Sequence, residues 1–218
     1  MEFSGFNDNT FDFLLQIAFN NNREFYEENK ANFLENVKAP LILLESELAP
    51  IMLKCDPNIR TGRRVISRIF RDTRFSKDKS MFRDHMWIGY TRNGGSDNKT
   101  FGFYFEITPV SYGYGMGSYG ADAKSMEAFR QKIMTAPNKF LRSTNYNRLL
   151  KSFEFRGEDY KRLKYKEGPK KILDIVNKRY FYFSFSSNDL DNAKSPKLKD
   201  EVINAFNELI PLYKFFVE

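Results

Sequence analysis

A chain of 218 residues with 41% hydrophobic and 17% aromatic side chains can bury a sizeable core, which excludes a disordered polypeptide. One cysteine, Cys55, excludes an internal disulfide framework and points to a reducing compartment, and one histidine, His85, excludes metal sites built on several His or Cys. The net charge of +7 is unevenly spread, with −6 over residues 1–59, +7 over 60–83 and +9 over 130–171.

The start, Met1-Glu2-Phe3-Ser4-Gly5, is neither basic nor apolar and does not resemble a signal peptide. Thr10 is placed to cap a helix over 11–19, with Phe11, Leu14, Leu15 and Ala18 on one face. Asn20-Asn21-Asn22 breaks it, and Asn22 caps a second helix over 23–37. Pro40 suits the first turn of a third helix to residue 54, with Leu41, Leu44, Leu48 and Met52 inward. The aliphatic run 41–44 is far too short to span a bilayer. The expected setting is therefore the cytoplasm, with no membrane partner.

The period then changes to that of strands. Residues 65–70 and 86–91 predict strands, and 101–108 alternates as the hairpin partner of 86–91 across the Asn93-Gly94-Gly95 turn signal. A glycine-interrupted strand follows over 110–119. Asp122 or Ser125 starts a helix carrying Met126, Phe129 and Ile133, and Asn138 caps another over 138–150. Residues 153–156 predict a short strand, Pro169 opens a helix to 178, and the aromatic run 179–185 predicts a buried strand. Ser195-Pro196 starts a last helix, which Pro211 is expected to kink or end. These elements predict a single α+β domain over 1–218. An antiparallel β-meander sheet packs against helices from the N- and C-terminal thirds.

The densest candidate for chemistry is the segment 68–83. Arg68, Arg71, Arg74, Lys77 and Lys79 fall within twelve residues, interleaved with Asp72 and Asp78 and followed by Arg83. Guanidinium forks of this kind suit a phosphate or carboxylate. Ser76 and Thr73 supply hydroxyls, and Asn21, Asn22 and Arg23 are candidates to close such a pocket. Asp72 and Asp78 are the weak candidates for an acid or base, because surrounding arginines oppose a raised pKa. The competing reading is a salt-bridge network joining sheet to helices, or a partner-binding role.

Gly115-Met116-Gly117-Ser118-Tyr119-Gly120 matches G-x-G-x-x-G, but the expected sheet is antiparallel and residues 135–141 hold no Asp or Glu. A strand whose backbone closely approaches a neighbour or ligand is the better reading, and no cofactor is expected. His85, beside a strand start, reads as a satisfied structural residue. Residues 130–171 interleave Lys and Arg with Phe140, Tyr146, Phe153, Phe155, Tyr160 and Tyr165, and the basic blocks 60–83 and 130–171 together offer an alternative reading as a nucleic-acid-binding surface.

The stretch Arg68-Ile69-Phe70-Arg71-Asp72-Thr73-Arg74-Phe75-Ser76-Lys77-Asp78-Lys79 resembles the signature of the bacterial family called domain of unknown function 2461. Asn21-Asn22-Arg23-Glu24-Phe25-Tyr26, Pro40, Gly115 to Tyr119 with Arg130 and Ile133, and Pro211-Leu212 are similar to further parts of it, over nearly the whole chain. Met81-Phe82 stands where the family has Pro-Tyr, and Phe25 where Trp is usual. The resemblance implies a fold and a cytoplasmic bacterial origin, and no activity.

Overall fold

The computed structural model describes residues 2–74, 77–92, 101–118 and 123–217. It is α+β, as expected, with a five-stranded antiparallel sheet. The strands are β1 (Met86–Tyr90), β2 (Gly102–Ile107), β3 (Tyr112–Gly117), β4 (Glu154–Asp159) and β5 (Lys178–Ser187). Their order in the sheet is β1-β2-β3-β5-β4, so the meander of the first three is extended by the late strand β5. Asn93-Gly94-Gly95, Tyr119, Gly120 and Asp122 lie outside the described residues. The chain divides into two compact units.

The first unit holds Met1–Tyr90, Tyr104–Gly113 and Ser186–Ile203. Helix α1 (Asp8–Phe19) begins earlier than a Thr10 cap predicts, because Asn7 is the cap. Its side chain accepts from the Thr10 N–H and the Thr10 hydroxyl accepts from the Asn7 N–H, a reciprocal capping box. Asn22 caps α2 (Arg23–Asn32) as expected. A π-helical segment, Phe33–Lys38, then leads directly into α3 (Ala39–Cys55). Pro40 explains part of this geometry. It has no N–H to give the Asn36 carbonyl, and the Thr10 hydroxyl takes that carbonyl at 2.5 Å. Leu41, Leu44, Leu48 and Met52 are fully buried, as their spacing predicts.

Residues 65–70 do not form the expected strand. Arg63–Val65 is a 3-10 turn, and only isolated bridges, Ile66 to Ile88 and Phe70 to Phe82, remain. The physical reason is a side chain that competes with the ladder: the Ser67 N–H donates to the Trp87 carbonyl, but the Trp87 N–H donates to the Ser67 hydroxyl at 3.0 Å instead of to its carbonyl. On the outer edge of this arm the Arg83 guanidinium donates to the Arg68 and Phe70 carbonyls at 2.5 and 2.6 Å.

The second unit holds Thr91–Phe103, Tyr114–Phe185 and Asn204–Glu218. Helix α4 (Ala123–Thr135) buries Met126, Phe129 and Ile133, and also Arg130. The helix expected over 138–150 is two helices, α5 (Pro137–Ser143) and α6 (Tyr146–Ser152), separated at Asn145, whose φ is 52°. Helix α7 (Lys170–Val176) precedes β5, which pairs antiparallel with β4 through Phe155 opposite Phe183. Phe101, Phe129, Phe181 and Phe216 form an aromatic core, with the Phe101 and Phe216 rings stacked at 3.6 Å. A Cβ on Gly117 would sit 2.5 Å from the Phe181 carbonyl oxygen, so this glycine serves close approach to β5.

A short helix α8 (Leu190–Ala193), unforeseen in the sequence, precedes α9 (Lys197–Val217). Helix α9 runs through Pro211 rather than ending there. Burial of Leu212, Tyr213 and Phe215 beyond the proline outweighs the missing hydrogen bond.

Candidate functional site

The segment 68–83 is a loop whose two arms meet edge to edge. The Arg71 N–H donates to the Met81 carbonyl at 2.9 Å and the Arg83 N–H to the Ile69 carbonyl at 2.8 Å. Asn21, just past the end of α1, completes this pairing from the other side. It accepts from the Phe82 N–H and donates to the Phe82 carbonyl, both at 2.9 Å. Beneath lies an aromatic cluster in which the Phe82 ring stacks on Tyr26 at 4.6 Å and sits 5.0 Å from Phe70. Burial, and then Glu27, raise the pKa of Tyr26. Phe82 is fully buried in this cluster, while Phe70 lies at its edge and is 51% exposed.

The cations separate into two sets. Arg71 and Arg83 are half-buried. Arg71 lies 3.2 Å from Asp78 and 4.0 Å from Asp84, and its Nε is buried without a hydrogen-bond partner among the described residues. Arg83 lies over the Trp87 ring at 4.9 Å. Its pKa is lowered by burial first, then by the Arg71 and Arg68 guanidiniums, while Asp72 opposes. Arg68 is exposed, and its side chain makes no hydrogen bond or ion pair among the described residues. Arg68, Arg71 and Arg83 therefore form a cluster of like charge.

The remaining cations point elsewhere. Arg74 binds Asp72 with two parallel bonds, 3.0 and 2.7 Å, on an exposed face. Lys79 donates to the Thr73 carbonyl at 2.7 Å, and Lys77 is exposed. Asn22 is committed to the α2 cap and Arg23 is exposed in the first turn of that helix. Ser76 lies outside the described residues.

Neither candidate acid has the raised pKa such a role needs. Arg74 holds the Asp72 carboxyl well below its usual value, first through side-chain hydrogen bonding. The Ser80 N–H, at 2.9 Å, is the largest cause of the lowered pKa of Asp78. Such carboxylates are poor proton acceptors near neutral pH.

Sequence reasoning undervalued the residues just beyond the loop. His85 Nδ1 is 2.7 Å from Asp84 Oδ1, and the imidazole stacks on Trp87 at 5.7 Å with a 23° interplanar angle. Glu106 of β2 lies within the field of both Asp84 and His85. Its pKa is raised by burial first and by Asp84, against a lowering by His85. The signal was the adjacency Asp84-His85, with the chain's one tryptophan two positions on. Among the described residues no group of His, Cys, Asp and Glu is placed to hold a metal ion, and no helix is long and apolar enough to cross a membrane.

The basic block 130–171 belongs to the second unit, and several of its cations are committed. Arg130, fully buried, donates to the Val176 and Lys178 carbonyls at 2.8 and 2.7 Å. Arg148 pairs with Glu208, and Lys164 with Glu127, whose pKa falls to about 2 chiefly through that lysine. A depression of about 520 Å³ is lined in part by Phe155, Asp159, Tyr165, Lys166, Lys170 and Lys178.

No curated protein matches the chain. A family profile described as "Conserved hypothetical protein (DUF2461)" matches residues 9–215, which takes in the arginine loop, Asn21 and the aromatic cluster below them. The chain therefore belongs to the DUF2461 family.

Proposed function

We propose that this is a cytoplasmic bacterial protein that binds a small phosphate- or carboxylate-bearing ligand through Arg68, Arg71 and Arg83. The Nε of Arg71, buried and without a hydrogen-bond partner among the described residues, carries the reading. An unsatisfied buried donor costs roughly 1–3 kcal/mol, and an anionic oxygen is the acceptor that recovers most. The neighbouring guanidiniums of Arg68 and Arg83 repel one another until an anion lies among them. Arg74 and Lys79 bind partners within the loop and contribute mainly to its shape.

A thermal-shift series with inorganic phosphate, sulfate and citrate tests this. Ligand at a hundred times its Kd stabilises by about 2.7 kcal/mol, a rise of roughly 5–10 °C for a chain of this size. Arg71→Ala should abolish the rise, and Arg74→Ala should retain it. No rise with any anion would sink the proposal.

Two other readings have observations in their favour. Arg71 paired with Asp78 and Arg74 with Asp72 support a salt-bridge clamp, in which Arg71→Ala lowers the melting temperature and anions do nothing. Exposed Lys161, Arg162, Lys166 and Lys170 support nucleic-acid binding. That reading requires RNA or DNA affinity at low salt that collapses steeply as salt is raised.

A further inference from the structure

Resting on the anion-binding reading, a second role emerges for the residues that flank the arginine cluster. Asp84 Oδ1 is shared: His85 Nδ1 lies 2.7 Å from it and Arg71 lies 4.0 Å from it. A carboxylate only accepts hydrogen bonds, so His85 Nδ1 carries the hydrogen and Nε2 is left with its lone pair. The imidazole stacks on Trp87 at 5.7 Å, a ring the Arg83 guanidinium also contacts, and Asp84 links the imidazole to Arg71 of the cluster. With its side chain 30% exposed, His85 is open to a solute and still fixed by Asp84 and Trp87.

We propose that His85 is the proton-exchanging residue of this site, taking through Nε2 a proton from an O–H of a phosphate-bearing ligand held on Arg68, Arg71 and Arg83. In that step the ligand O–H bond breaks, its electron pair stays on the oxygen, and an Nε2–H bond forms. Nothing is oxidised or reduced. The imidazolium produced lies between the Asp84 carboxylate and the newly charged ligand oxygen. The charged groups around it are Asp84, Asp78 and Arg71 from the loop arms and their edge, Arg83 on the same Trp87, and Glu106 from β2. Asp78 and Asp84, 3.2 and 4.0 Å from Arg71, offset its charge.

A single histidine makes the test direct, because its imidazole nitrogens give isolated 15N signals in the full chain. With inorganic phosphate as the probe, three results are expected. The neutral ring is the Nδ1–H tautomer. Asp84→Asn removes that tautomer preference. Saturating phosphate raises the proton affinity of His85 about tenfold or more, the effect of an opposite charge within 4–6 Å. A predominant Nε2–H tautomer, or an unmoved titration under phosphate that demonstrably binds by thermal shift, overturns the role of His85 and leaves the anion site standing. Absence of phosphate binding overturns both.

Discussion

Asn21 imitates a strand with one side chain. Its amide gives Phe82 both the donor and the acceptor that a neighbouring backbone would supply. Phe82 is fully buried, so neither group has water as a substitute. Asn21→Ala should therefore destabilise by about 2–3 kcal/mol, measured by chemical denaturation, whereas exposed Arg74→Ala should leave stability unchanged. Glu106 gives a pH signature. Its pKa is raised in the fold, so stability falls as pH rises from the ordinary carboxylate pKa to the raised one, and the full penalty is present above it. Glu106→Gln should raise the melting temperature near neutral pH, and the gain should vanish below the ordinary carboxylate range, where the glutamate is uncharged in both the folded and unfolded states. Much at this scale was legible in advance: the guanidinium-rich loop, the Asn22 cap and the inward leucines of α3 followed from residue type and spacing. The Asn21–Phe82 pairing was not, because it joins residues 61 positions apart through an amide that could equally have capped a turn.

At the scale of elements, local signals held where the local partner decides the structure and failed where a distant one does. Residues 65–70 have the composition of a strand, yet the Ser67 hydroxyl takes the Trp87 N–H that a regular ladder gives to a backbone carbonyl. Pro211 carries a local breaking signal, and helix α9 overrides it with buried side chains on both sides of the proline. The proline still removes one hydrogen bond from an otherwise continuous helix. Pro211→Ala should raise stability by about 1–3 kcal/mol, read from the urea midpoint. A loss instead would mean that the proline ring itself packs in a way alanine cannot replace.

Charge is a property of the whole chain, and here its arrangement matters more than its sum. The basic block 130–171 finds many partners nearby: Glu127, Glu154 and Glu208 engage Lys164, Arg156 and Arg148. The block 60–83 balances Arg74 and Arg71 with its own Asp72 and Asp78, and still leaves Arg68 exposed. A protein of charge +7 gains some stability from any salt through screening. Site binding differs from screening in being specific. Phosphate should raise the melting temperature well beyond sodium chloride at equal ionic strength, and Arg71→Ala should bring the two curves together. Equal responses to both salts would assign the effect to the general field.

The π-helical turn at Phe33–Lys38 has a consequence for how the family varies in length. Such a turn is one residue longer than its α-helical equivalent, so it behaves as an insertion absorbed within a helix. Removing the exposed Glu35 should regularise the helix and leave the leucine stripe of α3 facing its core, while the Asn36 carbonyl, four residues before Pro40, still lacks a helical N–H. Removing one residue inside α3 itself would instead turn everything beyond it by about 100° and expose Leu48 or Met52. Relatives one residue shorter in this region should therefore lack it in this turn, and not within the leucine stripe of α3.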